Sequence, residues 1–204
     1  MKKQAIIFST IILGCITFTA FKAMTEIKEI SLGTSLPASD IKMKDVVSGT
    51  DKSFSDIKKD KGLVVIFSCN TCPFVKKAES VLTEASFYAK RYELGYVLVN
   101  SNEAKRADED SPAAMKKYAV DMKYSFPYLI DNNSAAADAF GAMRTPQAFV
   151  FDNTGKLVYK GAIMDEGDPA KAKMFYLKDA IKAVFADKSY RDLSIIVLRN
   201  LPVA

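Results

Sequence analysis

The sequence has no histidine, no tryptophan and only three cysteines in 204 residues. Without histidine there is no imidazole to act as a general base near neutral pH or as the usual nitrogen ligand of zinc or copper. One cysteine, Cys15, falls in the apolar leader, so the body holds only Cys69 and Cys72. Two thiols cannot complete a four-ligand structural zinc site. Haem attachment through a CxxC pair needs a histidine next, and Pro73 stands there. The body also lacks charge imbalance. Formal net charge is +5, but Lys2, Lys3 and Lys22 lie in an acid-free start, and without them 26 basic residues face 24 acidic ones. A near-neutral body gives no footing to a nucleic-acid partner. There is no internal repeat and no low-complexity segment.

What is present begins with MKKQAIIFSTIILGCITFTAFKAM. A basic start and an apolar run identify residues 1–23 as an export signal or a membrane or lipid anchor, outside the fold. ILGC, ending at Cys15, resembles a bacterial lipoprotein box and makes Cys15 a candidate lipid-attachment site. The alternative is a small apolar residue of the signal, and the apolar residues after Cys15 fit that alternative. Either way the body is expected outside the cytoplasm, periplasmic or otherwise extracytoplasmic, touching membrane only through this segment. Disulfide chemistry is available there.

Residues 24–30 read as a linker, 31–188 as one domain and 189–204 as a tail of no assigned role. IKMKDVV alternates apolar and polar residues before SGTDK, which predicts a hairpin. Residues 55–59 predict one helical turn. LVVIF, at Leu63–Phe67, is a continuous apolar run suited to a strand covered on both faces. Phe74, Val75, Ala78, Val81, Leu82, Ala85, Tyr88 and Tyr92 recur at helical spacing. Tyr96–Val99 predicts a second buried strand. Ser111 can cap a helix with Pro112 at its first position, running to about Met122. Tyr128–Ile130 predicts a strand, and Ser134–Phe140 a short helix closed by Gly141. PQAFVFDNTGKLVYKG predicts a strand, a turn at Asp152–Gly155 and a returning strand. Lys171–Ala186 predicts a last amphipathic helix. The order is hairpin, then alternating strands and helices, then hairpin and helix. It describes an α/β protein with helices packed on a mixed central sheet and an N-terminal β-hairpin extension.

The sharpest motif is SCNTC, at the end of the Leu63–Phe67 run. One reading is an inert disulfide. A bridge across two residues closes a very short loop and removes little chain entropy, so it is a weak staple. The other reading is redox. A helix starting beside Cys69 would favour a thiolate there through its amides and dipole, with Cys72 one turn further in and nearer the core. Far along the chain, Thr145-Pro146 opens a strand. It is either a simple breaker or a cis bond presenting the Thr145 backbone to an extended substrate.

These two blocks resemble the redoxin branch of the thioredoxin fold, which includes TlpA-like thiol–disulfide oxidoreductases and the AhpC/TSA-related peroxiredoxins. The likeness runs from about Ser31 to Ala186. LGTSLPASDIKMKDVVSGTDKSFSDIKKDKGLVVIFSCNTCPF matches the branch's opening, and GAMRTPQAFVFDNTGKLVYKG its cis-proline strand and closing hairpin. The resemblance implies a thioredoxin-like three-layer sandwich. It puts Cys69 in the nucleophile's place and Cys72 in the resolving one, with Thr145 and Pro146 at the substrate. It also implies that no cofactor is needed beyond the redox-active Cys69–Cys72 disulfide. The partners it implies are protein disulfides and an upstream thiol electron donor such as a membrane disulfide reductase. Relatives keep a buried carboxylate near the second cysteine, and Glu103 is the candidate proton relay, with an exposed loop carboxylate as the alternative. Asn100 and Asn102 are expected to cap local backbone.

Three departures qualify the match. Ser68 replaces the usual tryptophan. The intervening Asn-Thr lacks the histidine of strongly oxidising relatives, which tilts the expectation toward a reductant. Ile66 stands where a peroxiredoxin has threonine three residues before its reactive cysteine, which argues against a thiol peroxidase. The alternatives to an exported oxidoreductase are that peroxidase and a non-enzymatic binding protein with a fixed disulfide.

Overall fold

The computed structural model describes residues 28–186. The leader with Cys15 and the tail after 186 lie outside the described residues. Among the described residues no helix is long and apolar enough to cross a membrane.

The chain runs β1 (Met43–Asp45), β2 (Asp51–Lys52), α1 (Phe54–Ile57), β3 (Leu63–Phe67), α2 (Pro73–Arg91) and β4 (Gly95–Asn100). It continues α3 (Pro112–Asp121), β5 (Tyr128–Ile130), α4 (Ala135–Phe140), β6 (Gln147–Phe151), β7 (Leu157–Gly161) and α5 (Tyr176–Phe185). The strands form one sheet in the order β2-β1-β5-β4-β3-β6-β7. β3 is central, parallel to β4 and antiparallel to β6, and β4 is parallel to β5. All five residues of β3 are buried because both faces are covered. Val64 and Ile66 face the core under α2, α3 and α5. Leu63, Val65 and Phe67 face the opposite core, closed by Phe54 of α1 and Phe140 of α4. This period-two division of one apolar run makes the three layers.

Local signals set the helix ends. Ser111 Oγ accepts the Ala114 amide at 3.3 Å and Pro112 opens α3. Gly141, at φ 64°, takes the left-handed conformation that ends α4. α5 starts later than its sequence pattern suggests. The Asp165 carboxylate accepts the Lys173 and Met174 amides at 3.0 Å each, so residues 171–175 close a loop on Asp165. Glu29 and Ile30, expected in a linker, are tied to the fold. Glu29 pairs with Lys160 at 2.8 Å, and the Ile30 amide donates to the Phe140 carbonyl at 3.1 Å.

The β1–β2 hairpin is pinned by one carboxylate. Asp45 is fully buried. It accepts from the Val47 and Tyr128 amides at 3.0 Å each and from Ser48 Oγ at 2.6 Å, and it pairs with Lys52 at 2.9 Å. Burial pushes its acidity one way, but Ser48, Lys52 and the two amides outweigh burial and hold its pKa below the ordinary value. A carboxylate lowered on folding contributes stability above its unfolded pKa of about 4 and loses it as pH falls further. Asp45→Asn is therefore expected to lose about 2 kcal/mol at pH 7, with the gap to the parent closing toward about pH 3. Urea unfolding at both pH values checks this, and a gap that stays constant with pH would contradict it.

Candidate active site

β3 ends at Phe67, and the Ser68 amide still donates to the Val99 carbonyl at 2.8 Å. Cys69 follows, directly off the sheet. Proline lacks an amide hydrogen and suits a first helical position, so α2 starts at Pro73 with Cys72 as its N-cap. This corrects the sequence expectation twice. CNTC is a turn before the helix, so the amino end of α2 falls at Cys72 rather than Cys69. Cys72 is also not the more buried sulfur: Cys69 is 6% exposed while Cys72 is half-buried. Both are free thiols.

The Thr145–Pro146 bond is cis, and Thr145 touches both sulfurs. Its carbonyl accepts from Cys72 Sγ at 3.2 Å, and its hydroxyl lies 3.6 Å from Cys69 Sγ. The Thr71 hydroxyl lies 3.7 Å from Cys69 Sγ on the other side. The two cysteines therefore differ in kind. Two hydroxyls can donate to Cys69, whereas the carbonyl facing Cys72 can only accept and engages its S–H. Both thiols line an open cleft of about 550 Å³ with Asn102, Asp138, Met143, Arg144 and Thr145. Across the cis-proline a second hollow of about 400 Å³ is floored by Phe74, Pro146 and Met164. Met143 is 74% exposed and Phe74 58%, an apolar rim on each side of the thiols.

Glu103 does not reach the thiols' cleft. Its carboxylate accepts the Asn133 amide at 3.0 Å and lies 3.6 Å from Arg106, with 42% of the side chain exposed. The buried carboxylate beside the motif is Asp110, which nothing in the sequence singles out. It is fully buried. Its Oδ1 accepts the Asn70 amide and Asn100 Nδ2, each at 2.7 Å. Its Oδ2 accepts Asn102 Nδ2 at 2.7 Å and Thr71 Oγ1 at 3.3 Å. Asn100 and Asn102 thus do more than cap, although Asn100 Oδ1 also takes the Asn102 amide at 3.0 Å. Arg106 holds the intervening loop by donating to the carbonyls of Asn100 at 2.7 Å and Asp110 at 3.1 Å. In sequence, Asp110 stands in DEDSP just before a helix cap and looks solvent-facing. Only the loop's return beneath CNTC buries it.

A CxxC turn leaving the central strand of this sheet, opposite a cis-proline, is the arrangement of a thioredoxin-like fold. The chain belongs to the AhpC/TSA family, whose model matches residues 34–160. A search of curated protein sequences gave no match. Among solved structures, the chain is similar to an uncharacterized conserved protein from Geobacillus kaustophilus, 32% identical over 78% of this chain and 84% of that one, with a TM-score of 0.69. A hypothetical protein from Sinorhizobium meliloti is 31% identical over 80% and 88%, with a TM-score of 0.70. A secreted disulfide oxidoreductase from Mycobacterium tuberculosis shares the fold at 14% identity, over 72% and 97%, with a TM-score of 0.55.

Proposed function

We propose that this protein is an exported thiol–disulfide oxidoreductase that reduces or exchanges disulfides of protein partners through Cys69 and Cys72. The observation that carries this reading is the shared contact of both free thiols with Thr145 at one open cleft. A staple needs no such cleft. Cys69, faced by two hydroxyls, attacks a partner disulfide, forming a Cys69–partner bond and releasing one partner sulfur as thiolate. Cys72 then passes its proton to solvent and attacks Cys69, freeing the second partner sulfur. The partner gains two electrons and the protein keeps the Cys69–Cys72 disulfide. An upstream thiol donor returns the two electrons. The cis-Thr145–Pro146 segment and the apolar rim of Phe74 and Met143 suit an extended, partly apolar polypeptide. Export rests on the leader, with anchoring or Cys15 lipidation as its variants, and the secreted oxidoreductase of the same fold is consistent with it.

The test is the reduction potential of the Cys69–Cys72 couple in graded thiol buffers, read by alkylation. One reversible two-electron couple is expected, nearer to about −270 mV than to about −120 mV. No reversible couple across that span would sink the reading. The family match and the paired hydroxyls at Cys69 also suit a thiol peroxidase. In that case Cys69 thiolate takes one oxygen from a peroxide, becomes a sulfenic acid, and loses water on closing to Cys72. Peroxide consumption with a thiol donor, far above that of a free thiol, would favour this second activity.

A further inference from the structure

Gln147 opens β6 directly after the cis-proline and is fully buried. It stands two and four residues before Phe149 and Phe151, so it shares their face of the sheet. A primary amide buried there needs acceptors for its N–H groups and donors for its oxygen. Both are present. Gln147 Oε1 accepts the Met143 amide at 3.0 Å and the Arg144 amide at 3.3 Å. Gln147 Nε2 donates to Glu29 Oε1, and Glu29 Oε2 pairs with Lys160 of β7 at 2.8 Å. These partners leave the Gln147 amide one orientation, because turning it over would set Nε2 against two N–H donors.

The loop held in this way is one wall of the cleft. Met143, Arg144 and Thr145 line it beside the thiols, and Thr145 touches both sulfurs. The carboxylate that fixes Gln147 comes from 118 residues earlier, in the stretch expected to be a linker. That stretch is firmly seated. The Ile30 amide donates to the Phe140 carbonyl at 3.1 Å. The backbone of Lys28 and Glu29 lies so close to Gly141 that a Cβ there would come within 2.3 Å of the Lys28 carbonyl oxygen and 2.4 Å of Glu29 Cα. The Glu29 and Lys160 side chains are only 26% and 27% exposed, so their pairing is less screened than that of a surface ion pair.

We propose that residues 28–30 form a strap and that Glu29 is a positioning residue. Acting through Gln147, it holds the Met143–Thr145 wall in the conformation that receives a disulfide-bearing polypeptide. The inference rests on the reading of this cleft as a site of disulfide exchange. Glu29 makes and breaks no bond there. It sets where the substrate lies, so substrate binding depends on it more than sulfur chemistry does. Without the carboxylate, Gln147 Nε2 is left buried and unpaired, which is costly. The side chain is then driven to swing away and release the Met143 and Arg144 amides.

The test uses the full chain carrying Glu29→Ala or Glu29→Gln, with two readouts. One is steady-state kinetics on a model protein disulfide, and the other is hydrogen–deuterium exchange of the peptide spanning residues 142–147. Glu29→Ala is expected to raise KM roughly fivefold while kcat stays within about twofold of the parent. It should also speed exchange of the 142–147 peptide roughly tenfold, with β3 unchanged. Glu29→Gln keeps an acceptor for Gln147 Nε2 and should bring both readouts back toward the parent. A Glu29→Ala variant with parental KM overturns the proposal, as does one in which kcat falls and KM does not move. Exchange that rises equally in β3 and in 142–147 also overturns it, because the effect would then be a general loss of stability. Amide exchange needs no substrate. A parent that exchanges no disulfides would therefore defeat the proposed function, while the 142–147 peptide would still judge the strap.

Discussion

Replacing Cys69 by serine is expected to abolish disulfide exchange, lowering the rate by a factor on the order of a thousand or more. The serine hydroxyl is slightly smaller, still fits between Thr71 and Thr145, and is a far weaker nucleophile than a thiolate. Cys72→Ser should behave differently. Attack by Cys69 still occurs, but nothing resolves the product, so a Cys69–partner mixed disulfide accumulates. Non-reducing electrophoresis against a model protein disulfide separates the outcomes. The fold should be unaffected in both, since the thiols are free and each replacement removes only one sulfur. The opposite pattern, trapping by Cys69→Ser and silence from Cys72→Ser, would assign attack to Cys72. That sulfur is more exposed and belongs to the residue at the N-cap position of α2, so the experiment decides between two physical effects. Hydroxyl donation favours Cys69, and access and the helix terminus favour Cys72.

Phe140→Ala is expected to cost about 3–5 kcal/mol and to lower the melting temperature by roughly 10 °C. Phe140 is fully buried and packs edge-to-face on four other rings. The centroids lie 5.4 Å from Phe54, 5.3 Å from Phe67, 5.2 Å from Phe149 and 5.8 Å from Phe151. α4 has only six residues and little helical stability of its own, so this ring is its main anchor. The consequence reaches the cleft. Ala137 and Asp138 of α4, and Ala142 to Thr145 after it, form one wall beside the thiols. The variant should therefore also raise KM for a disulfide substrate. Phe140→Leu, which keeps most of the volume, should cost under about 1.5 kcal/mol. A loss below about 1 kcal/mol for the alanine variant would show that the ring cluster does not hold α4.

The sequence by itself determined the three-layer architecture. The run LVVIF, the helical spacing after CNTC and the turn signals around QAFVF and LVYKG each encode an element locally, through side-chain period and backbone restriction. Pro73 and Pro112 both open helices, because proline acts within one or two residues of itself. The cysteine pair was legible for the same reason, and Thr145-Pro146 because only proline gives an accessible cis bond. What the sequence misplaced depended on distant contacts. α5 begins late because the Asp165 carboxylate, eight and nine residues earlier, claims two amides that a helix would otherwise have used. The burial order of the thiols followed from where α2 begins and from how the Thr145 segment covers them. Glu103 and Asp110 are both loop acids seven residues apart, alike in composition and context. Only the tertiary structure turned Asp110 under the CNTC turn and left Glu103 at the surface, because Arg106 folds the loop back by gripping two carbonyls at once.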